Sequence, residues 1–141
     1  MKTKPHIVFD TNALISALIL QSSISNQALQ LAIEHFTIIV SRDTWIEFET
    51  RIQKPSLLPY FTSAREREEL VEVLNRIVEH IAVQSEISDC RDPDDNKFLS
   101  LAFDGKASFL VSGDNDLKVL HPWRAIAILS PGDFVREYRK A

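Results

Sequence analysis

HIVFDTN, residues 6–12, is a short, mainly apolar run that stops on the carboxylate Asp10. A run of this length bounded by a charged residue reads as a buried strand. The residues that follow, NALISALIL (12–20), carry apolar side chains too densely for a surface helix and predict a mostly buried one. FLVSGDND, residues 109–116, repeats the pattern far along the chain, with Asp114 in the place of Asp10. A carboxylate is costly to bury and gains nothing from packing, so two strands that both end on one require an explanation.

Working outward, NQALQLAIEH (26–35) reads as a helix capped by Ser25, and FTIIV (36–40) as a β-branched second strand. Ser41 is placed to cap a helix running to about Ile52. KPSLLP (54–59) reads as a loop between Pro55 and Pro59. SAREREELVEVLNRIVEHI (63–81) opens with Ser63 and Glu66 in capping-box spacing and predicts a charged amphipathic helix. Its stripe of Leu70, Val73, Leu74, Ile77 and Val78 reads as core, with some of that surface open to a partner. Residues 84–94 are a polar loop, 125–129 (AIAIL) a fourth strand, and Ser130 with Pro131 starts a last helix. Strands alternating with helices predict an α/β fold with a mainly parallel sheet.

A length of 141 residues fits one domain, 1–141, and three glycines with no repeat or low-complexity tract leave no linker to divide it. At 45% hydrophobic residues the chain fills one core without staples. The single cysteine, Cys90, excludes an internal disulfide and a multi-cysteine metal site, and points to a reducing cytoplasm. The apolar run 13–20 is too short to span a membrane, so a cytoplasmic protein with no membrane role is expected. A net charge of −4 argues against a general nucleic-acid binder unless the acids are gathered in one place.

In open parallel sheets ligands bind at the carboxyl ends of the strands, where both Asp10 and Asp114 would stand. If their strands are neighbours, the two carboxylates face each other across the rim. Taken singly, Asp10 reads as a helix cap and Asp114 as a turn residue. The segment RDPDDNKFLSLAF (91–103) adds Asp92 as a cap before Pro93, with Asp94 and Asp95 in the first turn, where the helix dipole favours acids. On a helical wheel Asp95 falls within the stripe of Phe98, Leu99, Leu101, Ala102 and Phe103, whereas Asp94 points aside. An inward carboxylate needs a partner, and a metal ion is one. On the helix 42–52, periodicity sets Glu49 nearer the apolar side than Glu47, and a solvated face accounts for either.

Carboxylates without a cluster of His or Cys specify a hard cation, Mg²⁺ or Mn²⁺, and hence phosphodiester chemistry with one or two ions. Four gathered acids would account for the net charge by themselves. Arg42, Arg91, Lys97, Lys106 and Lys118 flank the acids in sequence and are candidate phosphate contacts, though each alone reads as ordinary surface. The four histidines stand apart from one another, and no nucleophile elbow or Gly-rich phosphate loop is present.

FDTNALISAL, VSRDTWIEFETRIQKP and RDPDDNKFLSLAFDGKASFLVSGDNDL, in that order, resemble the PIN-domain family, especially its VapC-like toxin branch in prokaryotic toxin–antitoxin pairs. The resemblance implies a Rossmann-like α/β/α sandwich and a metal-dependent endoribonuclease. It implies Asp10, Glu47, Asp95 and Asp114 as catalytic metal ligands, choosing Glu47 over Glu49, with Asp116 as a secondary or water-mediated ligand. Asn12 and Ser112 match polar positions that orient the acids, Ser112 standing where Thr is commoner. A cognate antitoxin, an RNA substrate and a homodimer are implied in the same way. The rival reading is a non-catalytic RNA-binding or protein-interaction module on the same fold. A phosphorylated-aspartate enzyme would need a second Asp where Asn12 stands.

Overall fold

The structure is a computed structural model that describes residues 3–140; the expected outer bounds, Met1 and Ala141, lie outside the described residues. In chain order the elements are β1 (His6–Phe9), α1 (Thr11–Ile19), α2 (Ile24–His35), β2 (Thr37–Val40), α3 (Arg42–Ile52), α4 (Ala64–Ile77), β3 (Glu79–His80), α5 (Asn96–Asp104), β4 (Ala107–Val111), α6 (Asn115–Lys118), β5 (Ala127–Leu129) and α7 (Pro131–Lys140). Two 3₁₀ segments, Pro55–Tyr60 and Pro93–Asp95, precede α4 and α5.

The five strands form one sheet in the order β3-β2-β1-β4-β5, and every neighbouring pair is parallel. The chain builds outward from β1 through β2 to β3, then crosses back to β4 and β5. Its direction of winding therefore reverses between β1 and β4.

Strand alternation sorts the core into two layers. Ile7, Phe9, Ile38, Val40 and Val111 pack on one face with Leu14, Leu29, Phe48 and Phe134 from the helices α1, α2, α3 and α7. Val8, Ile39, Leu110 and Ile128 pack on the other with Phe98, Leu99 and Leu101 of α5 and Leu117 of α6. Each such fully buried aliphatic side chain is worth about 1.5–3 kcal/mol, so the sheet is fixed from both sides. The result is an α/β/α sandwich of Rossmann-like type with an all-parallel sheet.

Several local readings are corrected. Ser23, not Ser25, caps α2, accepting from the Asn26 N–H at 3.1 Å, and Ser25 falls inside the first turn. Residues 55–60 form a 3₁₀ turn instead of a loop. The amphipathic helix stops at Ile77, and Glu79–His80 leave it to become the edge strand β3. Its stripe is only partly core: Leu74 and Val78 are buried, whereas Val73 and Ile77 are exposed. β5 begins at Ala127, because Arg124 and Ala125 adopt the left-handed conformation (φ 49° and 66°) and turn the chain ahead of it. Ser41, Ser63 and Ser130 accept from the backbone N–H of Thr44, Glu66 and Asp133, as the sequence predicts.

Candidate functional site

Asp10 ends β1, and its N–H donates to the Val111 carbonyl at 3.0 Å, continuing the ladder across the reversal point. Its Oδ1 accepts from the Ala13 N–H at 2.8 Å and caps α1. Its Oδ2 accepts from the Ser112 hydroxyl at 2.5 Å. Ser112 is wholly buried, and its Oγ also accepts from the Asp114 N–H at 2.9 Å. One hydroxyl thus fixes both strand-end acids. Burial raises the Asp10 pKa above the usual carboxylate range; the bonds from Ser112 and Ala13 pull it down, and the charges of Asp114 and Glu47 push it up again.

Asp114 caps α6, its Oδ1 accepting from the Asp116 N–H at 2.8 Å. Asp116 enters the site's hydrogen bonding through its backbone, and its carbonyl accepts from the Cys90 thiol at 3.5 Å. Asp95 comes from the 3₁₀ turn that Asp92 caps through the Asp94 N–H (3.0 Å). Although Asp95 occupies the cap position of α5, its side chain makes no capping bond. Its Oδ2 is buried with no hydrogen-bond partner, and its carboxyl abuts that of Asp114. Burial, and after it the contact and charge of Asp114, raise Asp95 to about 7. Asp94 is exposed, as its wheel position predicts.

Glu47 faces this group from α3. Its Oε2 lies 2.5 Å from Lys97 Nζ and its Oε1 3.4 Å from Arg51 Nη1. Arg51 in turn reaches Asn12 Oδ1 at 3.5 Å, so Asn12 touches the acids through Arg51 rather than directly. Burial opposes the ionised form of Glu47, but the hydrogen bond and charge of Lys97 with the charge of Arg51 outweigh it and hold the carboxyl below its ordinary range. Glu49 is exposed and makes neither contact, which corrects the periodicity reading. Thr11 Oγ1, buried beside Glu47, has no hydrogen-bond partner of normal geometry. Neither Thr11 nor Arg51 was singled out in the sequence, although Arg51 stands one helical turn after Glu47.

The model of the PIN domain family matches residues 6–116, a span that begins at β1 and closes on Asp116. The chain belongs to the PIN domain family. The uncharacterized protein MJ1680 of Methanocaldococcus jannaschii is 27% identical over 148 residues, covering 99% of this chain and 95% of its own. Among solved structures, VapBC2 from Rickettsia felis, bound to a DNA fragment from their promoter, matches with a TM-score of 0.57 at 13% identity. That match covers 87% of this chain and 96% of the other, and it establishes a shared fold.

In this PIN domain one cleft adjoins Lys97 and a second is lined by two of the acids. One, of about 650 Å³, is lined by Arg42, Lys97, Asn96, Ser85 and Ile87. The other, of about 400 Å³, is lined by Asp10, Asn12, Ser16, Gly113 and Asp114. Arg42 therefore stands in the first cleft, Lys97 between that cleft and Glu47, and Arg91 is exposed with no ion pair among the described residues. The donor set suits a hard cation, since the acids offer oxygen alone. The nearby Cys90 thiol is spent on the Asp116 carbonyl and held protonated by burial. The histidines bond elsewhere: His6 to Gly105, His80 to Asn75, His121 to Ile128, while His35 pairs with Glu34. As the side chains stand, among the described residues no three His, Cys, Asp or Glu groups are gathered closely enough to hold an ion. Glu47 is turned to its two cations, while Asp95 presents a buried oxygen with nothing to bind.

Proposed function

We propose that this PIN domain, taken over residues 1–141 as one unit, is a divalent-metal-dependent endoribonuclease, with Asp10, Glu47, Asp95 and Asp114 as its ligand set and Asp116 in support. The observation that carries the reading is the abutting pair Asp95 and Asp114, with Asp95 Oδ2 buried and unpaired at the reversal point of the sheet. Two carboxyls pressed together without a cation are an expense that packing does not repay, whereas Mg²⁺ or Mn²⁺ would relieve it. One or two bound ions would supply the charge that offsets acids and phosphate and acidifies water for attack.

The protein's own groups account for the rest. Ser112 holds Asp10 in one rotamer by donating to its Oδ2, and spaces it from Asp114 through the same oxygen. Burial, and after it the neighbouring Asp114, raise the Asp95 carboxyl to about 7, and a bound cation would favour its ionised form. Arg42 lines the larger cleft, where a phosphate of the substrate would lie, and Arg91 is free to meet a more distant one. Cleavage within a chain rather than from its end rests on the VapC-like motif order.

RNA as substrate, and a role as the toxin of a toxin–antitoxin pair held in check by an antitoxin laid over the acids, rest on the VapC-like motif order. The fold match to VapBC2 supports a protein partner of that kind. A homodimer and a cytoplasmic setting are expected on the same ground; among the described residues no helix is long and apolar enough to cross a membrane. The second reading, a non-catalytic RNA-binding or interaction module, draws on the lack of a ready-made three-acid cage.

Cleavage of single-stranded RNA with Mn²⁺, with EDTA, and by Asp10→Asn separates the two. Metal-dependent turnover that the variant loses supports the nuclease. Binding of RNA without turnover in any metal supports the module.

A further inference from the structure

Among the described residues Glu47 is the one acid of the group that carries partners of opposite charge, and the closer of them is Lys97. Its Nζ lies 2.5 Å from Glu47 Oε2 and also donates to the Asp94 carbonyl at 2.7 Å. It therefore bridges α3 to the turn from which Asp95 projects. Both side chains are largely withdrawn from water, at 22% exposure for Lys97 and 16% for Glu47, so the pair is neither a loose surface contact nor strongly screened. Lys97 also lines the larger cleft next to Arg42, so an ammonium released from Glu47 would already stand where an anion enters.

Two consequences follow from charge alone. A divalent ion approaching Asp10, Asp95 and Asp114 meets the repulsion of Lys97 and competes with it for the Glu47 carboxylate. Once Glu47 turns to the ion, Lys97 loses its counter-charge and seeks another anion. A phosphodiester in the adjoining cleft is such an anion.

We infer that Lys97 is an internal counter-cation that holds Glu47 in the metal-free protein, competes with the divalent ion for that carboxylate, and on exchange is released toward the substrate phosphate. This rests on the metal-dependent nuclease reading and adds a positioning residue to it. A purely structural ion pair would behave in the opposite way, because losing it would misplace Glu47 and weaken metal binding.

The test uses the full chain and Mn²⁺ alone, without RNA, followed by calorimetry on the wild type, Lys97→Met and Lys97→Gln, with cleavage measured separately at saturating Mn²⁺. The expected result is Mn²⁺ binding tightened by about tenfold in both variants, the scale of one charge-assisted contact, together with slower cleavage and a raised KM for RNA. Unchanged or weaker Mn²⁺ binding in folded variants overturns the proposal while leaving the nuclease reading intact. Absence of Mn²⁺ binding in the wild type, with Asp10→Asn indistinguishable from it, overturns both. If neither variant folds, nitrogen NMR of the lysine ammonium groups in the wild type decides: a protected Lys97 signal that is lost on adding Mg²⁺ supports exchange, and one that persists at saturation overturns it.

Discussion

Ser112 and Asp10, 102 residues apart in the chain, are joined by a buried hydrogen bond of 2.5 Å at the point where the sheet reverses its winding. The hydroxyl donates to one acid and accepts from the backbone of another. Ser112→Ala leaves the buried Asp10 Oδ2 and the half-buried Asp114 N–H without their partner. It should lower stability by about 1–3 kcal/mol, read by urea unfolding, and cut cleavage more than it cuts RNA binding. Ser112→Thr keeps the hydroxyl and should recover most of both.

The pH response of the metal-free protein follows from Asp95, raised to about 7, and from Asp10, raised by burial. The folded state holds these protons where the unfolded chain has already lost them. Stability is therefore lowest above about pH 7 and rises as pH falls through 7 toward the ordinary carboxylate range. Thermal unfolding in EDTA should show a Tm that decreases from about pH 5.5 to 8, and Asp95→Asn should flatten that slope. Glu47, with its lowered pKa, contributes in the opposite sense and in a separate window: its stabilisation is present above the ordinary carboxylate range and is lost as pH falls below it.

Glu47 and Glu49 lie two residues apart on α3 and have different surroundings. Glu47→Gln should reduce RNA cleavage on the order of a hundredfold, the scale for one preorganised charged group, and should leave Lys97 and Arg51 with no common counter-charge. Glu49→Gln should be silent in the same assay. Equal losses in the two variants would remove Glu47 from the ligand set.

Gly105 closes the turn between α5 and β4. A Cβ there would sit 2.9 Å from the Leu101 carbonyl oxygen and run into the buried side chain of Ile39. Gly105→Ala should cost about 1–3 kcal/mol in unfolding experiments, with metal affinity of the folded fraction unchanged, because none of the acids is displaced directly.

Much of the architecture was legible because it is written locally. The runs 6–9 and 109–111 are too apolar and too short to be anything but buried strands, and the serines at 41, 63 and 130 stand where a helix needs an acceptor. Asp95 could be read as inward from its place on the wheel. What stayed hidden depends on distant partners. β3 consists of two exposed polar residues, Glu79 and His80, that become a strand only because β2 offers an edge. Glu47 eluded periodicity because a wheel assumes one inner face. α3 turns Trp45, Phe48 and Ile52 to the core and a second, polar edge to Lys97, fifty positions further along the sequence. The cap of α2 was read as Ser25, whereas Ser23, two residues earlier, is the one that accepts from the Asn26 N–H.

The crossing from β3 back to β4 has a consequence for synthesis. A growing polypeptide that has emerged only as far as Asp95 already carries three of the four acids, yet lacks the strand that seats them beside one another. Until residues 107–114 leave the ribosome, Asp10 has neither its ladder partner Val111 nor Ser112 to orient it. Such a rim therefore first comes into being once residues 107–114 have been made, and a product truncated before them would carry three of the acids without the arrangement that joins them.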